Sequence, residues 1–424
     1  MNQKSMSDDQ LRAQLQQLEE EFAAHKAAGL NLDLTRGKPS IAQLDLSSAL
    51  DGVLDGDFVA SDGSDTRGYG GLDGLPEAKH MGAQLMGLAP EQVIIGGNSS
   101  LTLMYLYLMH CVNFGPGAGG GPWRDSATPI RFLCPVPGYD RHFTICEEFG
   151  LQMINIAMTD DGPDMEQVEA LVAKDPGIKG IWCVPKYSNP SGEIYSAETV
   201  RRIAALAKTA GPGFQVIWDN AYAVHDLDET HAVTDIMPIA ETLGTADSIV
   251  FFASTSKITF AGAGLAFAGG SAATLDSFRH RLSMLTIGPD KVNQLRHVRF
   301  LKDVNGIREL MDGHRQILQP KFAAVQQHLH DGLGNLDLAR WTDPAGGYFV
   351  SVDTQPGLAK AVVELAAEAG VKLTPAGAAF PYGNDPKDCN IRLAPSYPPL
   401  EDVNRAMQVF VTCVKLATLR QQLT

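Results

Sequence analysis

Cysteine is scarce in this sequence and never closely paired. Six cysteines occur among 424 residues, none of them in a C-x-x-C spacing, and most lie inside apolar runs such as residues 181–184. Scattered thiols in apolar surroundings argue against a disulfide framework and favour a reducing compartment. The opening residues 1–9 are polar and have no apolar core of the signal-peptide kind. We therefore expect a cytoplasmic protein.

Positive charge is also in short supply. Lysine and arginine total 34 against 49 acidic residues, which leaves a net charge of −15. Nucleic acids and anionic membranes attract basic surfaces, so this balance argues against both as partners. Long apolar runs are missing as well, and no stretch is long enough to span a bilayer. An anionic substrate would need a local pocket of arginine, and we predict no metal site.

What the chain does contain is a regular alternation of apolar strands and helices. Strands are predicted at 130–134, 151–156, 180–184 and 214–218, with helices at 140–149, 164–173 and 196–209 between them. Strands at 248–253 and 264–268 follow. Continuously apolar strands separated by helices are typical of a mostly parallel sheet covered by helices on both faces. The sequence therefore predicts an α/β fold.

The two ends of the chain follow a different pattern. Apolar residues recur at helical spacing from Leu11 to Phe22, and a long helical segment is predicted from Lys291 to about Leu333. A strand at 346–352, a helix at 357–369 and a strand at 391–394 follow. A chain of 424 residues is too long for one simple core. We predict a large α/β domain at 56–308 and a smaller α+β domain built from 1–55 and 309–424.

One glycine motif matches a nucleotide-binding pattern by its residues, but the elements that flank it are in the wrong order. Residues 115–120 match the dinucleotide-binding pattern G-x-G-x-x-G. That pattern requires a strand before it and a helix after it, whereas here a predicted helix precedes and a strand follows. We interpret the segment as a surface excursion, which leaves a nucleotide-dependent enzyme without its fingerprint.

Four predicted strands end in polar clusters. The clusters are Pro137–Tyr139, Lys186–Gly192, Asp219–Tyr222 and Ser254–Lys257. Because ligands of parallel α/β sheets bind beyond the carboxyl ends of the strands, we expect these clusters to converge on one crevice. A desolvated Lys257 would have a lowered pKa and could form an imine. A solvated lysine in an ordinary loop is the alternative that this stretch leaves open.

Two further stretches have a predicted role. One indicates an anion site, and the other is a loop that another group is expected to approach closely. A short strand at 93–95 runs into Gly96-Gly-Asn98-Ser99-Ser100 and then an apolar helix. Free amides at a helix N-terminus favour an anion, although an ordinary helix cap has the same residues. The polar loop at 61–74 is rich in glycine and long, so we expect another group to approach it closely.

Lys257 and Asp219, which stand 38 residues apart at two strand ends, together indicate pyridoxal phosphate. Its aldehyde reacts with a lysine, its ring nitrogen stays protonated beside a carboxylate, and its phosphate is held by amides and hydroxyls. With these motifs in order between Gly37 and Arg392, the chain resembles the class I aminotransferases of the fold type I pyridoxal-phosphate family. Within that class it is most similar to a divergent bacterial branch of aspartate aminotransferases.

The resemblance implies a role for each matching residue. Lys257 would bind the cofactor and carry the substrate's Cα proton, and Asp219 would pair with the pyridine nitrogen. Asn189 and Tyr222 would hydrogen-bond the phenolic oxygen, and Tyr139 would stack on the ring. The phosphate would be held by Asn98, Ser99, Ser100 and Ser254, with Ser256 as a further cofactor contact and Tyr69 reaching it from the second subunit of a homodimer. The substrate α-carboxylate would be clamped by Arg392, with Asn189 beside it and a backbone contact from Gly37.

One position departs from the family pattern. Relatives have a phosphate-binding arginine eight residues after the lysine, where this chain has Leu265. Backbone amides, hydroxyls or another base must then hold the phosphate. A dicarboxylic substrate also needs a second cation, for which Arg36 and Arg141 are candidates because each adjoins predicted site residues. Solvated arginines are the alternative for both.

The expected reaction is a ping-pong transfer of the amino group of an L-amino acid, with aspartate favoured, to 2-oxoglutarate. The nearest alternatives are an aminotransferase for alanine or aromatic amino acids and a β-lyase with the same cofactor. A pyridoxal-phosphate-binding transcription regulator would need a basic helix-turn-helix segment, which this acidic sequence lacks.

Overall fold

A computed structural model describes residues 8–117 and 119–423 of the chain. The α-helices in these ranges are α1 (Asp8–Ala27), α2 (Ile41–Asp45), α3 (Pro76–Met86), α4 (Ser100–Phe114), α5 (Asp140–Glu148), α6 (Met165–Lys174), α7 (Ala197–Ala205), α8 (Ile236–Leu243), α9 (Ala272–Leu285), α10 (Lys291–Leu301), α11 (Val304–Leu333), α12 (Ala359–Glu368) and α13 (Leu400–Gln422). The strands are β1 (Leu32–Asp33), β2 (Val93–Ile95), β3 (Arg131–Val136), β4 (Gln152–Thr159), β5 (Gly162–Pro163), β6 (Ile178–Cys183), β7 (Gln215–Asp219), β8 (Ile249–Ser254), β9 (Ala266–Gly270), β10 (Ala339–Trp341), β11 (Val350–Thr354), β12 (Val371–Lys372) and β13 (Asn390–Leu393).

The main sheet has eight strands in the order β2-β9-β8-β7-β6-β3-β4-β5 across the described residues. Its central pairs β4·β3, β3·β6, β6·β7 and β7·β8 are parallel, while β9 is antiparallel to both of its neighbours. Parallel neighbours need a crossover connection, and the helices between these strands provide it. The predicted α/β fold with a mostly parallel sheet is confirmed.

Both faces of this sheet are buried. Val216 and Trp218 of β7 lie in a first core on one face, and Ile217 between them lies in a second core on the other face. This alternation follows the two-residue period of a strand. Because helices cover both faces, the central strands are apolar along their length, which explains the continuous apolar runs in the sequence.

A third core joins the two ends of the chain. It contains Leu18 and Phe22 of α1 together with Phe322 of α11 and Phe410 of α13. The short strands β1 and β12 pair in parallel, and β10, β11 and β13 form a separate antiparallel sheet beside this core. The N-terminal helix therefore packs against the C-terminal part of the chain.

The long helix α11 passes from one core to another. Ile307 and Met311 in its first turns belong to the first core, whereas Leu318 and Phe322 belong to the third. The predicted domain boundary at 308–309 falls inside this continuous helix, and the division into two domains stays a prediction. In the described part of the chain, no helix is long and apolar enough to cross a lipid bilayer.

Two local features differ from the sequence-based prediction. The helical segment from Lys291 to Leu333 is two helices, because Lys302 adopts a left-handed backbone with φ of 63° and Asp303 caps α11 by accepting two backbone N–H groups. The C-terminal helix α13 lies outside the elements predicted from the sequence. In the glycine-rich excursion after α4, Gly117 and Gly120 form an isolated bridge, and β3 follows.

Candidate active site

The carboxyl ends of the parallel strands surround one cavity of about 120 Å³. Seven residues predicted from the sequence line it: Gly37, Ser100, Tyr139, Asn189, Asp219, Tyr222 and Lys257. The sheet topology explains this convergence, since Asp219 ends β7, Lys257 follows β8 and the other polar clusters follow β3 and β6. The expected crevice is therefore present at the predicted edge of the sheet.

Lys257 lies in this cavity close to an aromatic ring. Its Nζ is 4.8 Å from the centroid of the Tyr222 ring. Removal of the ammonium from water lowers the pKa of Lys257 below its ordinary value of 10.5, and the negative charge of Asp219 opposes that shift. The backbone carbonyl of Lys257 accepts a hydrogen bond from the Tyr348 hydroxyl at 3.3 Å, which ties the turn to a neighbouring element. A lowered pKa favours the neutral, nucleophilic amine.

Asp219 is buried and only half satisfied. Its Oδ2 lies 3.0 Å from Nε2 of His142, and the imidazole of His142 stacks on Trp182 with the ring planes 4° apart. Its Oδ1 is buried and has no hydrogen-bond partner among the described residues. An unpaired buried carboxylate oxygen is costly unless a donor reaches it. The protonated ring nitrogen of a pyridoxal group is a donor of that kind, so this feature fits the cofactor that the family uses.

Two tyrosines beside the carboxylate keep their phenolic protons. Burial raises the pKa of Tyr222 well above its ordinary value, and the nearby Tyr139 contributes in the same direction. Burial, followed by the charges of Asp140 and Asp219, raises the pKa of Tyr139 to about 12. Tyr139 meets His142 edge to face, with ring centroids 4.9 Å apart. Both hydroxyls are therefore available as hydrogen-bond donors at neutral pH.

The N-terminus of α4 opens onto the same cavity. Ser99 caps the helix by accepting the N–H of Thr102 at 3.3 Å, and Ser100 lines the cavity. Ser256 donates to the backbone oxygen of Asn98 at 2.8 Å, and the Asn98 side chain donates to Gly262 O at 2.8 Å. These bonds hold the loop after β8 against the helix start. The start of a helix with amide and hydroxyl groups close to it is suited to binding an anion.

Leu265 supplies no charge to this site. Its side chain is buried in the first core, and its backbone N–H donates to the Thr255 hydroxyl at 2.8 Å. The hydrogen bond to Thr255 fixes the backbone of Leu265, while its side chain packs among apolar residues. Ser254, at the end of β8, remains half-buried beside this turn.

Arg392, on β13, lies beside Asn189 of the cavity lining. Its Nη1 donates to Asp140 Oδ1 at 2.9 Å and lies 3.4 Å from Asn189 Oδ1, and its guanidinium lies 4.9 Å from the centroid of the Phe349 ring. Its Nε is buried without a partner in the described part of the chain. Gly37 packs so closely here that a Cβ atom would lie 2.3 Å from the Phe349 ring. The guanidinium is therefore buried, oriented and incompletely satisfied.

Eight of the fifteen predicted residues do not line this cavity. They are Asn98, Ser99, Ser254, Ser256, Arg392, Tyr69, Arg36 and Arg141. Tyr69 is 94% exposed, and Arg36 and Arg141 are also exposed. Arg141 lines a second, more open cavity of about 430 Å³ with Leu101 and Tyr105. Leu101 lines both cavities, so the cavity that contains Arg141 adjoins the first.

The structure also adds residues that motif reading missed. His142 supports Asp219, Asp140 pairs with Arg392, and Phe349 supports both Arg392 and Gly37. A signal for His142 was present, because it stands three residues after Tyr139 on the first turn of α5 and so shares its face. The contacts of Asp140 and Phe349 depend on β11 and β13, which sequence spacing does not relate to α5.

Fold and site together define an aminotransferase of the fold type I pyridoxal-phosphate class. The profile of the family described as Aspartate amino-transferase matches residues 6–424. The chain belongs to this aspartate aminotransferase family, which confirms the resemblance drawn from its motifs.

Individual relatives agree over nearly the whole chain. An aspartate aminotransferase from Corynebacterium glutamicum is 46% identical over 404 residues, covering 94% of this chain and 92% of that protein. The crystal structure of an aspartate transaminase from Corynebacterium glutamicum matches with a TM-score of 0.96 and 43% identity, covering 99% of each chain. An α-aminoadipate aminotransferase from Thermus thermophilus has a TM-score of 0.74 at 19% identity, covering 96% of this chain and 95% of that one, which shows the shared fold.

Proposed function

We propose that this protein uses pyridoxal phosphate to transfer the amino group of L-aspartate to 2-oxoglutarate in two half-reactions. The observation that carries the proposal is the buried Oδ1 of Asp219, which has no hydrogen-bond partner among residues 8–117 and 119–423 and belongs to a side chain that lines one cavity with Lys257. The aspartate aminotransferase and transaminase from Corynebacterium glutamicum support aspartate as the substrate. Asp219 and Lys257 would hold opposite sides of the cofactor ring.

When bound, pyridoxal phosphate supplies an electron-withdrawing ring that stabilises negative charge at the substrate α-carbon. Asp219 would accept the ring N–H at Oδ1 while His142 holds Oδ2, so the carboxylate keeps the ring nitrogen protonated. Asn189 and Tyr222 would donate to the phenolic oxygen, and Tyr139 would cover one face of the ring. Lys257 Nζ would bind the cofactor and, once the substrate amine has replaced it there, would carry the substrate's Cα proton to C4′ of the cofactor, which a lowered pKa favours.

The phosphate would be held without an arginine at position 265. Its proposed contacts are the N-terminal amides of α4 and the side chains of Asn98, Ser99, Ser100, Ser254 and Ser256. The helix dipole favours an anion at that end of α4, and several hydrogen bonds share the charge of the phosphate. We expect this set to compensate for Leu265.

Arg392 would bind the substrate α-carboxylate, with Asn189 and the backbone of Gly37 beside it. Arg141 and Arg36 are the proposed receptors for the distal carboxylate. Arg141 is favoured, because it lines a second cavity that shares Leu101 with the first. Aspartate specificity would then come from two separate guanidinium groups.

A homodimer with shared active sites would account for Tyr69. The backbone of Tyr69 and Gly70 is held by Lys291, whose Nζ lies 3.3 Å from Tyr69 O and 2.9 Å from Gly70 O. Beside this loop, Met284 and Ile287 expose 69% and 67% of their surface, and Leu285 exposes 58%. An exposed apolar surface next to a fixed loop is suited to binding a second copy of the chain, and Tyr69 would reach the phosphate in the site of that copy.

We also propose that the protein is cytoplasmic. We further propose that it has two domains, one formed by residues 56–308 and the other by residues 1–55 together with 309–424.

The test is a visible absorption spectrum of the purified protein followed by kinetics with a panel of amino acids. We expect a visible cofactor band that changes on addition of L-aspartate. With 2-oxoglutarate as acceptor, kcat/KM for aspartate should exceed that for alanine and phenylalanine by about 10- to 100-fold, because a charge-assisted contact to the second carboxylate contributes about 1.5–3 kcal/mol. Loss of this preference in Arg141→Gln, but not in Arg36→Gln, would identify the second receptor.

Other outcomes point elsewhere. A protein without a visible cofactor band would contradict the cofactor assignment. A preference for alanine or phenylalanine would replace aspartate by one of those substrates, and release of pyruvate and ammonia without a 2-oxo acid acceptor would indicate a β-lyase.

A further inference from the structure

The ion pair between Arg392 and Asp140 joins two residues 252 positions apart in the sequence. Its N–O distance is 2.9 Å, and the side chains are 8% and 33% exposed, respectively. Asp140 therefore occupies a nitrogen of the guanidinium that would otherwise be open to the substrate. The contact is made by Nη1, the same atom that lies 3.4 Å from Asn189.

A buried guanidinium needs an anion. Removing Arg392 from water without a counter-ion would cost several kcal/mol, since burial of an unpaired charge is among the most costly changes in a protein. In the described chain, Asp140 supplies the counter-ion. A substrate α-carboxylate that binds Arg392 would bring a second negative charge to the same guanidinium, and two carboxylates repel each other at this distance.

Asp140 is placed where it can move away. It is the first residue of α5, and one third of its side chain is exposed to solvent, so a rotation of the side chain would return its carboxylate to water. At that position the N-terminal end of the helix dipole stabilises the charge in either orientation. Arg392, by contrast, is held over Phe349 and is buried. The aspartate is therefore the mobile partner of the pair.

We propose that Asp140 is a positioning residue that acts as an internal counter-ion of Arg392. The substrate carboxylate must displace Asp140 in order to bind Arg392. The inference rests on the proposed function only in taking Arg392 as the receptor for a substrate carboxylate. Asp140 keeps the guanidinium oriented in the free enzyme and lowers the affinity for every carboxylate that binds it. If the pair is formed in about 70–90% of free molecules, the apparent dissociation constant rises about three- to tenfold.

Calorimetric binding of succinate to the cofactor-loaded protein tests this proposal. Succinate carries two carboxylates and no amine, so it binds without reaction. We expect Asp140→Asn to lower the dissociation constant of succinate about three- to tenfold, because the amide keeps the shape and loses the charge. Asp140→Ser, which removes the charge with a smaller polar side chain, should change the dissociation constant in the same direction. The KM for aspartate should fall in both variants.

The matched control is Glu147→Gln, which removes one exposed carboxylate from the same helix at its other end. It should leave the dissociation constant of succinate unchanged. The dissociation constant of succinate could instead be unchanged or higher in Asp140→Asn and Asp140→Ser, or a lower kcat could be their sole effect. Either result would show that Asp140 has a structural role. It would overturn the inference and leave the proposed function intact. Failure of succinate to bind the unaltered protein would overturn both.

Discussion

His142 Nε2 lies 3.0 Å from Asp219 Oδ2, in a buried pair whose other carboxylate oxygen has no partner among the described residues. The imidazole is fixed by stacking on Trp182, with ring centroids 4.0 Å apart. His142 thus determines which oxygen of Asp219 is free for a ligand. The hydrogen bond from His142 therefore both stabilises the buried carboxylate and orients Oδ1 for a ligand.

Replacement of His142 by phenylalanine tests this support. Phenylalanine keeps an aromatic ring against Trp182 but removes the N–H that Asp219 accepts. Because a hydrogen bond to a charged group contributes about 1.5–3 kcal/mol, we expect kcat/KM to fall about 10- to 100-fold. Steady-state kinetics would measure this, with His280→Phe on the exposed face of α9 as the control. Equal activities of the two variants would contradict a role for the pair.

Asp219→Asn should be more damaging than His142→Phe. The amide has nearly the shape of the carboxylate but cannot stabilise a protonated ring nitrogen with a negative charge. We expect kcat to fall by about 100-fold or more, and bound cofactor to be retained less well, since a charged partner is lost in a buried site. Kinetics and the cofactor content after dialysis measure both effects. Asp161→Asn, at an exposed turn, is the control, and a variant at position 219 that keeps half its activity would refute this role.

Lys257→Ala should abolish the visible band of covalently bound cofactor together with the activity. No other described lysine lines the cavity, so no side chain there can substitute for its amine. Absorption spectra and aspartate-dependent turnover measure the two effects. The exposed Lys208→Ala should retain both. Persistence of the band in Lys257→Ala would assign the covalent bond to another residue.

Tyr69→Ala and Lys257→Ala should complement each other in mixed dimers. Each variant alone would have defective sites, because Tyr69 of one subunit and Lys257 of the other are proposed to form one site. After unfolding and refolding of an equal mixture, random pairing makes about half of the dimers hybrids, and each hybrid contains one intact site. We expect activity to approach about a quarter of that of the unaltered protein. No recovery in refolded mixtures would exclude a shared site.

Lys321 gives a pH dependence of stability. It is buried in α11, its Nζ donates to Ser396 O at 2.8 Å, and burial lowers its pKa from 10.5 to about 8. Between these values the unfolded chain binds a proton that the folded protein has released. The contribution of Lys321 to the free energy of unfolding therefore rises with pH from about 8 to 10.5 and is least favourable below that window.

Lys321→Met should flatten this rise, since methionine does not titrate. Urea denaturation at about pH 7.5 and about pH 9.5 would compare the two proteins at the edge of the window and inside it. Exposed Lys208→Met serves as the control and should follow the unaltered protein. The prediction would be contradicted if the free energy of unfolding changed by the same amount between the two pH values in Lys321→Met and in Lys208→Met.

Much of the fold could be predicted because its determinants are local. The apolar strands with intervening helices specify a sheet buried on both faces, and residues such as Asp219 and Lys257 follow those strands directly in the sequence. The break at Lys302 was missed, since helical periodicity continues on both sides of it and the left-handed backbone gives no apolar signal. Helix α13 and the short strand β10 were also missed, whereas strands near β11 and β13 were predicted.

The sequence by itself determined which chemical groups stand at the ends of the parallel strands, because residue type and strand period are local properties. Only the tertiary structure decided how these groups are paired. Asp140 meets Arg392 across 252 residues, and a Cβ at Gly37 would collide with Phe349, because the ends of the chain fold over the edge of the main sheet. Likewise, the position of His142 determines which oxygen of Asp219 has no partner in the part of the chain that the structure describes. Such contacts depend on the packing of separate elements, which local sequence patterns do not specify.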